Sequence, residues 1–285
     1  MISLFQAIAL GLLQGVTELF PISSLGHSII LPHLLGWEMD RNDHAFLIFL
    51  VGTHFATATV LFFYFLEDWM KILRGMYHSL VHRGISEQNP LGKLGWLLVV
   101  GTIPAGILGL LFQDALRGLF VSPRSAAFFL FLNGLLLFGA EWLRRRNTKN
   151  TVSDPDVRMA KLTFRQAIVV GTVQALALFP GLSRAGSSMG GGLLVGLSHE
   201  DAARYSFLLA TPIIGAAALL KLPHLFLAEN HPLLLPTFVG AIASGVTAWF
   251  TVRFLMKYFH TNTLTPFAVY CSAAGLILSG VFQII

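Results

Sequence analysis

Six apolar runs, each about 20 residues and so long enough for a helix to cross bilayer hydrocarbon, recur at about 44–66, 94–113, 125–143, 203–221, 233–256 and 265–285. Backbone in lipid must satisfy its own hydrogen bonds, so the runs predict helices. The rest of the 285-residue chain agrees: 55% of it is hydrophobic, only 12% is charged, and the mean hydropathy is +0.71, outside the range of soluble globular proteins. The expectation is a multi-pass membrane protein. The N-terminus has neither a basic first segment nor a small-residue cleavage site, which argues against a removable signal peptide. Cys271 is the single cysteine and lies in an apolar run, so an intramolecular disulfide is excluded and a buried thiol is expected. The formal charge of +5 fits basic cytoplasmic loops and gives no reason to expect a nucleic-acid partner.

Two further apolar segments are interrupted. Residues 1–37 contain Pro21, Ser23, Ser24, Gly26, His27 and Pro32; residues 164–198 contain Pro180, Gly181, Ser183, Arg184, Gly186, Ser187, Ser188 and Gly190 to Gly192. Prolines and glycines break the helical ladder, and such backbone survives at membrane depth only when it is buried in protein or lines a wet cavity. Each segment is therefore expected to be a re-entrant helix-loop-helix hairpin. The two also align with each other. Gln14 faces Gln174, Phe20-Pro21 faces Phe179-Pro180, Ser23 faces Ser183 and Gly26 faces Gly186.

Each broken segment precedes three spans, so the expected fold is an all-α polytopic membrane protein with an inverted-topology repeat. Each half is one hairpin plus three transmembrane helices in a single integral membrane domain, with repeat 1 at about 1–146, repeat 2 at about 160–285 and a cytoplasmic linker at about 147–160. Lys71, Arg74, Arg83, Lys93, Arg144, Arg145, Arg146, Lys149, Arg158, Lys161, Arg165, Arg253 and Lys257 fall on one face. Arg41, Arg117, Arg124 and Lys221 fall on the other. The positive-inside rule then puts both termini outside. The hairpin tips, entering from opposite faces, would meet near the midplane, where inverted-repeat transporters hold substrate.

Ionisable residues at that depth cost several kcal/mol and by default mark function. The first tip offers Gln14 and Glu18, one helical turn apart, then Ser23, Ser24 and His27; the second offers Ser183, Arg184, Ser187 and Ser188 on a glycine-rich turn that includes Gly181. Hydroxyls, backbone N–H groups and an arginine make an anion site suited to phosphate. Glu18 would hold a divalent metal or act as a base, and His27 could activate Ser24, three residues before it. Against these stand blander readings. Ser23, Ser187 or Ser188 could simply bond a backbone carbonyl, Glu18 and Arg184 could be only an interhelical ion pair, and Gly190 to Gly192 could serve close packing. His44, His54, His78, His82, His199, His224, His231 and His260 lie toward span ends or loops and receive no role.

QGVTELFPISSLGH and PGLSRAGSS, with SFLLATP at 206–212 and TIPAGILGLLF at 102–112, resemble the undecaprenyl-diphosphate phosphatase family, also called the bacitracin-resistance family. Its signatures are E/Q-x-x-x-E before a P-x-S-S-x-G-H run, and P-G-x-S-R-S-x-x-T. Gln14 and Glu18 match the first pair, Ser24 and His27 the serine and histidine of the first tip, Pro180 and Gly181 the turn, Ser183 and Arg184 the Ser-Arg, and Ser188 the closing threonine. The chain departs from the pattern at Leu25, Ala185 and Ser188.

The resemblance implies hydrolysis of a polyprenyl diphosphate to the monophosphate and phosphate in the bacterial inner membrane. That reaction recycles the lipid carrier for peptidoglycan and is associated with bacitracin resistance. Glu18, Ser24, His27 and Arg184 are then the catalytic residues. Gln14, Ser23, Gly181, Ser183, Arg184, Ser187 and Ser188 bind substrate, and Glu18 with Gln14 holds Mg²⁺ or Ca²⁺. The expected partners are the lipid substrate, the bilayer and, in a homodimer, a second copy. An inverted-repeat flippase for polyprenyl phosphate is the alternative.

Overall fold

Twelve α-helices are present among the residues described by the computed structural model, which are 2–37, 44–85, 90–117, 122–147 and 155–284. Arg41 and Lys149, two of the charges counted above, and residues 148–154 of the linker lie outside them. The first hairpin is α1 (Leu4–Thr17) and α2 (Ser24–Leu34). Then come α3 (His44–Tyr64), α4 (Leu66–Val81), α5 (Pro90–Arg117), α6 (Pro123–Asn147) and a short α7 (Pro155–Ala160). The second hairpin is α8 (Phe164–Gln174), continued by a 3-10 turn at Ala175–Leu178, and α9 (Arg184–Leu194). It is followed by α10 (His199–Lys221), α11 (His231–Phe259) and α12 (Thr265–Ile284). The only strand-like pairing among the described residues is an isolated bridge between Pro180 and Leu182.

Six helical stretches are long and apolar enough to cross a membrane: Phe46–Tyr64, Pro90–Phe112, Pro123–Arg145, His199–Phe226, Ala228–Phe259 and Thr265–Gln283. They coincide with the six runs read from the sequence. Two helices lie outside those runs and the hairpins: α4, and the short α7 within the stretch expected as a linker. The charged segment after the first span, which holds Lys71 and Arg74, folds as α4, because Trp69, Ile72 and Gly75 recur at helical spacing and bury one face against α5. Glu67 and Asp68 stand in its first turn, where the helix dipole favours acids.

The two hairpins repeat local devices. A capping box opens each: Ser3 with Gln6 on α1, and Thr163 with Gln166 on α8. The inner helices each span 11 residues and begin on a capping serine, Ser23 accepting from the Gly26 N–H and Ser183 from the Gly186 N–H. α1 packs on α11 and α8 on α5, and each crossing is a glycine contact: a Cβ on Gly11 would overlap the carbonyl of Gly240, and one on Gly171 the carbonyl of Gly101. Such close approach of backbones is what small residues permit between helices in lipid. The glycine run Gly190 to Gly192 also serves packing, since added Cβ atoms would press on Ala140 of α6, Val170 of α8 and Ala202 of α10. The buried core centres on α10, whose Tyr205, Phe207, Leu208 and Leu209 are fully enclosed, while Leu219, Phe238, Phe250 and Leu276 point outward as lipid-facing residues do.

Candidate active site between two hairpin turns

Glu18 follows the last residue of α1 and is buried, with 5% of its surface exposed. An isolated carboxylate at such depth would be prohibitively costly, so its partners define the site. Arg184, the first residue of α9, places Nη2 at 3.0 Å and Nε at 3.2 Å from Oε1. Ser24, the first residue of α2, donates to Oε2 at 2.6 Å, Gln14 Nε2 donates to it at 3.1 Å, and His54 Nε2 of α3 lies 3.2 Å away. One carboxylate thus gathers residues from both hairpins and from the first span. The ion pair set out as a blander reading is present, and it sits inside a cluster of hydroxyl and amide groups rather than alone.

The two turns are held against each other by Asn133 of α6. Its Nδ2 donates to the Pro21 carbonyl at 2.8 Å, and its Oδ1 accepts from the Ser183 N–H at 2.9 Å. A Cβ on Gly26 would come within 3.0 Å of the Gly181 Cα, and one on Gly186 within 3.2 Å of the Pro21 carbonyl, so the turns touch. Gly181 has φ +111, and a Cβ there would overlap the Ala126 carbonyl on α6; the turn needs glycine on both counts. Ser23 has φ +71, a region L residues rarely adopt, between the glutamate and the serine bonded to it.

The remaining expected site residues divide between roles. The Ser23 and Ser183 hydroxyls are helix caps. Ser188 donates to the Arg184 carbonyl at 2.8 Å and shares a 2.6 Å hydrogen bond with Ser206 of α10, whose carbonyl accepts from Arg184 Nη1 at 3.3 Å. The Ser187 hydroxyl is buried without a hydrogen-bond partner. His27 is not on Ser24. Its Nδ1 lies 2.6 Å from the Ser23 carbonyl and its Nε2 2.7 Å from the Tyr270 hydroxyl, with the two rings stacked. The ring folds back onto the carbonyl four residues earlier, the usual reach within one helical turn. Ser24 instead turns across to Glu18.

Three contributors were missed from sequence. His54 was grouped with histidines at span ends, yet it lies mid-span in α3; Asn133 is likewise a lone polar residue within FLFLNGLLLF. Depth was the usable signal for both. Ser206 opens the SFLLATP run, but its role depends on which turn of α10 faces Arg184.

Among the described residues no group of three or more His, Cys, Asp or Glu side chains could hold a metal ion. What exists is the Glu18 carboxylate beside Gln14 Oε1, which is buried and has no hydrogen-bond partner. Mg²⁺ in particular keeps waters and takes phosphate oxygens, needing only one or two protein ligands, so this pair fits a cation shared with a phosphorylated substrate.

The fold and site together define a multi-pass helical membrane protein whose two broken hairpins bring a carboxylate, a guanidinium and a serine hydroxyl to one buried point. The family model described as bacitracin resistance protein BacA matches residues 7–277, and the chain belongs to that family. Among similar proteins, an undecaprenyl-diphosphatase of Mycolicibacterium paratuberculosis is 46% identical over 293 residues, covering 96% of this chain and 95% of its own. One from Granulibacter bethesdensis is 43% identical over 280 residues, covering 95% and 94%. Undecaprenyl-diphosphatase 2 of Frankia alni is 39% identical over 337 residues, covering 98% of each.

Proposed function

We propose that this protein is an undecaprenyl-diphosphatase, hydrolysing a polyprenyl diphosphate to the monophosphate and inorganic phosphate. The observation that carries the reading is the convergence of Ser24 and Arg184 on Glu18, in a chain whose near-full-length relatives bear that name. Those relatives favour the hydrolase over the flippase. Recycling of the lipid carrier for envelope polymers, and bacitracin resistance, follow from that activity.

In the mechanism the Arg184 guanidinium, with the N–H groups of the α9 turn, holds the terminal phosphate and stabilises the charge that develops on it. Ser24 Oγ attacks the terminal phosphorus while its proton passes to Glu18 Oε2, 2.6 Å away. The bond from that phosphorus to the bridging oxygen breaks, and the lipid monophosphate leaves. Water then attacks the phosphoserine phosphorus, with His27 taking the water's proton once its ring releases Tyr270, and the bond to Ser24 Oγ breaks as Glu18 returns its proton to that oxygen. Direct attack by water, with Glu18 as base, uses the same groups. A Mg²⁺ or Ca²⁺ on Glu18 and Gln14 would neutralise phosphate charge.

The matched capping boxes, capping serines and glycine crossings support an inverted repeat whose hairpins enter from opposite faces. The distribution of Lys and Arg supports termini on the outer side of the bacterial inner membrane, with the diphosphate site opening there. The test is phosphate release by purified protein in micelles, where no transmembrane movement exists, using C15 and C55 diphosphates with and without chelator. Release that chelator suppresses supports the reading; a flippase would release nothing.

A further inference from the structure

Among the described residues, His54 is the one ionisable residue at the carboxylate that belongs to neither hairpin. It comes from the middle of α3, and its placement is fixed at both ring nitrogens. Nδ1 lies 2.7 Å from the Leu50 carbonyl of its own helix, and Nε2 lies 3.2 Å from Glu18 Oε2. A carboxylate only accepts, so Nε2 is the nitrogen that donates to Glu18, while Nδ1 rests against the Leu50 carbonyl. Oε2 is also the oxygen that receives the Ser24 hydroxyl, whereas Oε1 belongs to Arg184.

We propose that His54 is a positioning residue for the hydrolytic reaction. By donating to Oε2 from α3, it fixes the rotation of the Glu18 carboxylate so that this oxygen stays on Ser24 while Arg184 keeps the other. Gln14 donates to the same oxygen, but it lies on the same helix, one turn back, and cannot set the distance between α1 and its surroundings. His54 does so from a separate element, and its tether to Leu50 leaves little freedom to the ring. The arrangement matters most after substrate binds. A phosphate drawing on Arg184 competes with Glu18 for the guanidinium, and with Oε1 less firmly held the carboxylate would be free to turn away from Ser24. The donor on Oε2 is what remains to oppose that rotation. The role rests on the proposed part of Glu18 as the acceptor of the Ser24 proton.

Two amides separate this role from simple packing. In His54→Gln the side-chain amide nitrogen reaches the place of Nε2 and can still donate to Glu18. In His54→Asn it reaches only the place of Nδ1, keeping the Leu50 bond and losing Glu18. Purified wild type and both variants are assayed in micelles for phosphate release from C15 diphosphate, alongside thermal unfolding. A lost hydrogen bond to a charged group predicts that kcat of H54N falls about tenfold to a hundredfold, with KM within about threefold of wild type. H54Q is expected to retain kcat within about fivefold. Equal rates for H54N and wild type overturn the proposal, and so does an H54Q as slow as H54N. An inactive wild type would instead overturn the hydrolase reading itself, so the two failures are distinct.

Discussion

Arg184→Ala separates what the ion pair does for folding from what the guanidinium does for turnover. The substitution removes both hydrogen bonds to Glu18 Oε1, at 3.0 and 3.2 Å, and the one to the Ser206 carbonyl at 3.3 Å. A glutamate 5% exposed then loses its guanidinium partner. Breaking one side of a buried pair costs about 3–5 kcal/mol. The double substitution Arg184→Ala with Glu18→Gln removes the orphaned charge, and it should recover about half or more of that loss. Activity should follow a different pattern. Loss of a donor aimed at developing transition-state charge lowers kcat by about a hundredfold to a thousandfold, and the double variant should be at least as slow. Thermal unfolding in detergent and phosphate release measure the two effects. Near-normal turnover by Arg184→Ala would refute the role of the guanidinium, and a double variant no more stable than the single one would refute the buried-charge argument.

Ser24→Ala should lower turnover by about a thousandfold or more if the hydroxyl is the nucleophile; a phosphorylated enzyme that is still trapped in this variant would move the nucleophile to His27. Asn133→Ala leaves the Ser183 N–H without its acceptor and the Pro21 carbonyl with only the Cys271 thiol at 3.9 Å, which at about 1–3 kcal/mol each predicts a loss of about 2–6 kcal/mol in thermal unfolding; a change below about 0.5 kcal/mol would show that the turns do not depend on this clamp. Gly11→Ala and Gly171→Ala each force a Cβ onto the backbone of the facing helix, at a cost of about 1–3 kcal/mol. Comparable losses are expected from the two under the proposed repeat, and a neutral result at either would argue against it.

The six apolar helices and the interruptions at Pro21–Ser23 and Phe179–Ser183 are legible in the sequence because they rest on local properties. A run of about 20 apolar residues needs no tertiary partner to be recognised, and proline, glycine and hydroxyl residues interrupt a helix wherever they stand. The same holds for Glu18 and Arg184, whose burial cost alone marked them. What stayed hidden depends on register between elements. Whether Ser24 meets His27 or Glu18 is decided by a turn in which Ser23 takes φ +71. That His54, Asn133 and Ser206 meet the tips follows from how far α3, α6 and α10 slide against the hairpins. The amphipathic α4 is masked in the sequence by its charges, Glu67, Asp68, Lys71 and Arg74, which resemble those of a loop although Trp69, Ile72 and Gly75 keep helical spacing.

The most direct measurement follows the label from a polyprenyl diphosphate carrying radioactive phosphorus only in its terminal phosphate, turned over by the purified protein in micelles. Hydrolysis at the Ser24, Glu18 and Arg184 site predicts that the label appears as inorganic phosphate, with one unlabelled lipid monophosphate formed for each phosphate released and almost none from Arg184→Ala. Label that stays on the lipid while the folded protein binds it would contradict the assignment.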